Sequence, residues 1–94
     1  MKRLLLFLPL LMAPAAQAWP FWAEDQAKRF CEYRSVGVST EKAMFAANRD
    51  QKNDYGETIG AEIQAAMDDG TYVPATIATI KLRCPGAWES GWGD

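Results

Sequence analysis

Two cysteines, Cys31 and Cys84, are the only thiols in this chain of 94 residues, and they limit what the chain can fold into. A domain of this size has a small core, so apolar burial exceeds the entropy of the unfolded chain only narrowly and a covalent link often helps. With two cysteines there is a single possible intramolecular pair. We therefore predict a Cys31–Cys84 disulfide, to which the chain-entropy treatment assigns roughly 4 kcal/mol of stabilisation.

The first residues of the chain have the three-part layout of a secretory signal peptide. Lys2 and Arg3 give a positive start, residues 4–12 form an apolar run, and residues 16–18 form a small-x-small cleavage site. The apolar run is well short of the roughly 20 residues of a membrane-spanning helix, so we expect no stable membrane anchor after cleavage. We predict an exported protein, periplasmic or secreted, in an oxidising compartment where a disulfide persists.

The chain divides into three predicted parts, a signal peptide (residues 1–18), one disulfide-stapled helical domain (residues 19–86) and a flexible tail with tryptophan and glycine (residues 87–94). The whole chain has a net charge of −2, and loss of Lys2 and Arg3 with the leader makes the mature part more acidic. The remaining basic residues are scattered along the sequence. Nucleic acids and anionic lipids require a basic patch, so we expect no nucleic-acid binding.

Four segments of the domain have the composition and periodicity of helices, and they are residues 21–36, 41–51, 57–69 and 74–84. The connection between the first two is short enough to make them antiparallel neighbours. The last segment leaves two alternatives open, because its threonines and isoleucines would also suit a strand. We prefer a helix, since strict alternation fails and a single strand would have no partner.

The predicted fold class is therefore all-α, a small bundle of three to four short helices closed by one disulfide. Between the second and third helices, residues 53–56 have the composition of a turn. Asp54 followed by Glu57 resembles a capping box at the start of the third helix. In that helix, Ile59, Ile63 and Met67 fall on one apolar face.

Catalytic and metal-binding chemistry has little support in the sequence. There is no histidine, which removes the commonest general base and zinc ligand. The cysteines form no CxxC motif, so a redox or metal role is a weaker alternative to the structural disulfide. Neighbouring carboxylates such as Asp68 and Asp69 point to different faces of a helix and do not form a dyad. We predict a protein that is not an enzyme and has no cofactor and no metal site.

Aromatic residues are concentrated near the two ends of the predicted mature chain. Trp19, Phe21 and Trp22 follow the leader, and Trp88 and Trp92 lie near the other end. A Cys31–Cys84 bond would bring both ends together, so these side chains could form one apolar surface of the kind that binds a protein partner. The alternative is that Phe21 and Trp22 fill the core while Trp88 and Trp92 belong to a loose tail.

Two spacings resemble known families. The pattern Cys31-x5-Gly37, followed much later by Cys84-Pro85, resembles a bacterial family of small secreted two-cysteine helical proteins of unknown function. That resemblance implies a helical domain closed by a disulfide and gives no activity. Residues 73–77, which lead to Cys84 through a proline, resemble the approach to the second cysteine in periplasmic acid-stress chaperones of the Hde type. The chain differs from that family in its C-terminal tail, which lacks the lysines found at the ends of those proteins.

From these features we expect a small exported protein without enzymatic activity, acting by contact with an unidentified protein partner in the cell envelope or outside the cell. The alternative function is an Hde-type acid-stress chaperone. In that case the protonation of the carboxylates would leave the basic charges unopposed at low pH and trigger client binding.

Overall fold

The computed structural model describes residues 19–89, and five helices follow one another in that part of the chain. They are α1 (Phe21–Ser35), α2 (Thr40–Tyr55), α3 (Glu57–Asp69), α4 (Tyr72–Arg83) and α5 (Pro85–Glu89). The described residues contain no strand, which confirms the all-α prediction. Among residues 19–89, no helix is both long enough and apolar enough to cross a membrane.

Helix α2 continues past the point where the sequence predicts a turn. It ends at Tyr55, and Gly56, with a positive φ of 71°, is the single residue between α2 and α3. The predicted turn over residues 53–56 and the capping role of Asp54 are therefore wrong. Asp54 stays helical, and its carboxylate lies 2.8 Å from Arg29 on α1. This tertiary ion pair offers Asp54 a partner that local turn chemistry does not take into account.

Helix α4 confirms the helical alternative for the segment before Cys84, and it begins earlier than predicted, at Tyr72. Gly70 ends α3 in the left-handed conformation with φ 83°. Both the backbone N–H and the hydroxyl of Thr71 then donate to the Asp69 carboxylate, at 3.0 and 2.7 Å. The short connection leaves Tyr72 free to stack on Trp22 of α1, with ring centroids 5.3 Å apart.

A short helix, α5, follows the disulfide and was not expected from the sequence. It spans Pro85–Glu89, with the proline at its first position, where a missing N–H costs nothing. Residues 87–89, which the sequence assigned to the tail, are thus helical. The remainder of the predicted flexible tail, residues 90–94, and the predicted signal peptide, residues 1–18, lie outside the described residues.

Helix α1 lies between α2 and α4. Arg29 of α1 contacts Asp54 of α2, and Tyr33, farther along α1, contacts the earlier Asp50, so α1 and α2 are antiparallel, as the short connection predicts. Trp22 stacks on Tyr72, while farther along α1 the disulfide reaches the end of α4, so these two helices run parallel. Parallel neighbours cannot be joined by a short turn, and here the intervening helices α2 and α3 make the connection.

The core consists of two apolar clusters along α1. One lies near the start of α1 and contains Trp22, Ala23, Ile59, Ile63, Ala66 and Ala75. The other lies against the disulfide and contains Ala27, Phe30, Ala43, Ala47 and Ile80. Alanine is frequent in both clusters, so the helices can approach closely. Met67, predicted on the apolar face of α3, is instead half exposed, so that part of the prediction is wrong.

We expect the Cys31→Ala/Cys84→Ala variant to lose roughly 4 kcal/mol of unfolding free energy, because the unfolded chain regains the freedom of the closed loop. Urea unfolding followed by circular dichroism measures the loss. The wild-type protein in reductant is the matched control, and it should unfold at the same urea concentration as the variant. Equal stability of the oxidised and reduced proteins would contradict a stabilising role for the bond.

Candidate interaction site

The disulfide predicted from the sequence is present, and it joins α1 to the end of α4. Cys31 and Cys84 are bonded, with their Cα atoms 6.0 Å apart. No free cysteine remains in the chain. Neither sulfur is therefore available as a metal ligand or nucleophile while the bond is intact. The bond holds α1 and α4 at a fixed separation at this end of their contact.

The aromatic residues at the start of the described chain take three different positions. Trp22 is buried, with 4% of its surface exposed, and stacks on Tyr72. Trp19 is half-buried and packs against the same apolar cluster. Phe21 is 56% exposed and meets the Tyr55 ring edge-on, with centroids 5.3 Å apart. Trp19 and Phe21 thus remain accessible, whereas Trp22 is part of the core.

The other two tryptophans of the predicted surface give no test of it. Trp88 lies in α5, but its side chain is outside what the structure describes, and Trp92 is outside the described residues altogether. The structure places Trp19, Phe21 and Trp22 at one end of α1. A surface that they share with Trp88 and Trp92 stays a prediction.

A groove of about 370 Å³ runs along the contact between α1 and α4. Its floor contains the buried residues Ala27 and Thr79, and Trp19 and the exposed Leu82 contribute apolar surface. The remaining lining residues are Glu24 and Arg83. The disulfide next to Arg83 fixes the separation of the two helices, so the groove is preformed. The lining is mixed, because the polar Glu24, Thr79 and Arg83 stand beside the apolar surface of Trp19 and Leu82.

Buried amide side chains near the groove were missed by the sequence analysis. Gln26 is fully buried, and its amide nitrogen donates to the Thr76 hydroxyl at 3.0 Å, while its oxygen accepts from the Tyr72 hydroxyl at 3.0 Å. Gln51 of α2 is also fully buried and donates to the Trp22 carbonyl oxygen at 2.9 Å. Hydropathy patterns place glutamine outside a core, so the sequence carried no signal for either residue.

Arg29 links α1 to α2 at the surface. Its guanidinium lies 2.7 Å from the Asp25 carboxylate and 2.8 Å from that of Asp54. The guanidinium carbon also lies 5.8 Å from the centroid of the Tyr55 ring. Partial burial opposes the charge of Arg29, but the hydrogen bonds to both aspartates outweigh burial and raise the pKa of Arg29. Arg29 therefore remains charged and contributes to the orientation of the Phe21–Tyr55 pair.

A second polar contact between α1 and α2 involves Tyr33, Arg49 and Asp50. The Tyr33 hydroxyl donates to the Asp50 carboxylate, and this hydrogen bond lowers the pKa of Asp50 and raises the pKa of Tyr33. Arg49 lies 3.1 Å from the same carboxylate and adds to the lowering. These groups are partly exposed and sit on a helix surface, outside the α1–α4 groove. They link two helices at the surface.

Within residues 19–89, no three potential metal ligands among cysteine, aspartate and glutamate lie close enough together to hold an ion. In comparison with known proteins, the chain matches no family, no curated protein sequence and no solved structure. Function must therefore be argued from the geometry of this chain alone.

Single substitutions of Trp22 and Phe21 should distinguish the core residue from the surface residue by their effect on stability. We expect Trp22→Ala to cost about 3–5 kcal/mol of unfolding free energy, because it leaves a cavity against Tyr72. Phe21→Ala should cost about 1 kcal/mol or less, since it removes only an exposed aromatic pair. Urea unfolding of both oxidised variants makes the comparison. Similar losses for the two variants would contradict the assignment of Trp22 to the core.

The Tyr33–Asp50 contact predicts a pH dependence with a definite sign. The folded-state pKa of Asp50 lies below its unfolded value, so the carboxylate stabilises the fold at neutral pH. That stabilisation is lost as the pH falls from the unfolded pKa of about 4 through the folded pKa. Asp50→Asn should lower the neutral-pH stability and make the decline in acid shallower, as measured by urea unfolding at each pH. Tyr33→Phe is the control that removes only the donor, and parallel pH curves for wild type and Asp50→Asn would refute the contact.

Proposed function

We propose that this chain is an exported helical protein without enzymatic activity, which acts by binding a protein partner in the cell envelope or outside the cell. The α1–α4 groove is the binding site in this proposal. The observation that carries it is a groove with both polar and apolar lining residues and with a disulfide beside it. Because the bond fixes the separation of α1 and α4, a partner segment would bind without first ordering the groove.

The groove also has a chemistry that fits a peptide-like segment. Leu82 is 65% exposed at its edge, and Trp19 is half-buried, so an apolar partner side chain could cover both. Glu24 and Arg83 provide opposite charges along the same groove. A mixture of apolar side chains, a hydroxyl and opposite charges is common in protein interfaces. The partner segment in this proposal is therefore apolar in its middle and carries charges on either side.

Export is supported by the leader-like residues 1–18 and is compatible with the disulfide. The test is the intact mass of the protein recovered from the exported fraction, with thiol alkylation before and after reduction. We expect a chain that begins at Trp19 and takes up two alkyl groups only after reduction. A full-length chain with two free thiols would contradict the proposal.

Binding through the groove is tested by photocrosslinking at single positions in cells. Leu82→p-benzoylphenylalanine places the reactive group in the groove, and Val36→p-benzoylphenylalanine is the matched control on an exposed apolar residue outside the groove lining. We expect one adduct of defined mass at position 82 and none at position 36. No adduct at position 82, or the same adducts at both positions, would count against the groove.

The Hde-type chaperone is the second candidate, and the surface contacts between α1 and α2 favour it. The Asp50 carboxylate accepts a hydrogen bond from Tyr33 of α1, and this contact lowers the pKa of Asp50, so protonation of Asp50 in acid would weaken the α1–α2 pairing. Acid would then expose apolar surface that could bind unfolded clients. Light scattering of a client protein between neutral pH and about pH 2 is the test, because carboxylates become protonated in that range. No protection at low pH removes this candidate.

A further inference from the structure

The outward side of α2 combines positive charge with an exposed aromatic ring. Lys42, Phe45, Arg49 and Lys52 recur at helical spacing and form what we name the α2 basic face. Phe45 is 69% exposed, and a surface depression of about 440 Å³ lies beside it. Within the described residues, neither lysine has a carboxylate at ion-pair distance. Two charges and a large ring on this face are thus available to a partner.

The opposite charge lies on the next helix. Helix α3 contains four acidic residues and no lysine or arginine. Glu57, Ala61, Ala65 and Asp68 recur at helical spacing on the side away from the buried isoleucines, and we name them the α3 acidic face. All four are exposed. The two alanines between the carboxylates leave space where a larger side chain from another molecule could pack.

The two faces do not cover each other within one chain. Phe45 remains 69% exposed, and both alanines of the α3 acidic face remain exposed, although α2 and α3 are consecutive helices joined at Gly56. Asp54 of α2 pairs with Arg29 of α1, while Asp50 accepts from Tyr33 of α1 and also pairs with Arg49. The charges of the α2 basic face that remain for a partner are therefore those of Lys42 and Lys52. Apart from Glu41 in the first turn, the outward side of α2 therefore carries positive charge, while the outward side of α3 carries negative charge.

We infer that the partner of the α2 basic face is the α3 acidic face of a second copy of this chain. Phe45 of one copy packs over Ala61 and Ala65 of the other, and Lys42 and Lys52 approach the carboxylates on either side. Because each copy carries both faces, a twofold arrangement forms this contact twice and closes into a dimer. The association lies on α2 and α3, so it does not rest on the function proposed for the α1–α4 groove.

Association of the wild-type protein is the first measurement. Sedimentation equilibrium of the oxidised protein at low ionic strength should give a dimer that dissociates towards about 1 M salt, where the screening length falls to about 3 Å. Phe45→Ala should weaken the dimer at least tenfold, while Val36→Ala, on an equally exposed apolar residue outside both faces, should leave it unchanged. A wild-type protein that stays monomeric at every concentration overturns the inference and leaves the groove proposal standing.

Charge reversal then tests which faces meet. Lys42→Glu/Lys52→Glu reverses the α2 basic face, and Glu57→Lys/Asp68→Lys reverses the α3 acidic face. Each variant alone should be monomeric, because like charges then oppose one another. An equimolar mixture should form a one-to-one heterodimer, which native mass spectrometry distinguishes by mass. A variant that still dimerises alone, or a mixture that stays monomeric, would overturn the inference.

Two controls keep the reversal experiment interpretable. Lys28→Glu makes the same charge change as Lys52→Glu on an exposed position of α1, and it should leave the dimer intact. Circular dichroism and the intact disulfide establish that each variant is folded before its mass is measured. If Lys28→Glu dissociates the dimer as fully as Lys52→Glu, the association depends on net charge and the inference fails.

Discussion

The packing of this protein depends on the contact between α1 and α4, two parallel helices that are far apart in the sequence. Trp22 stacks on Tyr72 at one end of the contact, and Cys31 is bonded to Cys84 near the other. Closing such a long loop without a covalent link has an entropic cost that a core rich in alanine must offset by apolar burial alone. The disulfide removes much of that entropy from the unfolded chain and also fixes the groove that lies along the same contact.

Buried amides determine how α1 is oriented between its neighbours. Alanine side chains let the helices approach but give few features that distinguish one rotation of a helix from another. Gln26 has both a donor and an acceptor to satisfy, and it does so with Thr76 and Tyr72 of α4. Gln51 donates to the Trp22 carbonyl oxygen and ties α2 to the same end of α1. A rotated or shifted α1 would leave the Gln26 amide unpaired in a low-dielectric core, which is costly, whereas the buried Oε1 of Gln51 has no hydrogen-bond partner even in the observed packing.

The parts of the structure that local chemistry determines could be predicted, and the parts that tertiary contacts determine could not. Helix α3 has the predicted bounds because its composition, its apolar spacing and Gly70 act within the segment. The expected turn before Gly56 failed because Asp54 pairs with Arg29 on another helix. The helix over the segment before Cys84 was correctly preferred, since a lone strand would have had no partner.

The candidate site shows the same division. The cysteine pair followed from the presence of only two cysteines, whereas the predicted surface that joins Trp19 to Trp88 and Trp92 stays a prediction. Trp22 is a core residue, as the alternative interpretation of the aromatic residues had it, whereas Phe21, which that alternative also placed in the core, is 56% exposed. The opposite wall of the groove, with Thr79 and Leu82, comes from α4, and no local pattern indicated that this helix would lie beside α1.

The central position of α1 also separates the surfaces that can bind a partner. Its buried residues contact α2 on one side and α4 on the other, so α1 itself exposes mainly a polar edge at Glu24, Lys28 and Glu32. The groove takes its exposed apolar wall from α4, at Leu82, whereas the exposed ring of Phe45 belongs to α2. These two sites have no lining residue in common. A copy bound on α2 would therefore leave the groove open, so that self-association and the binding of a different protein are compatible in one small helical domain.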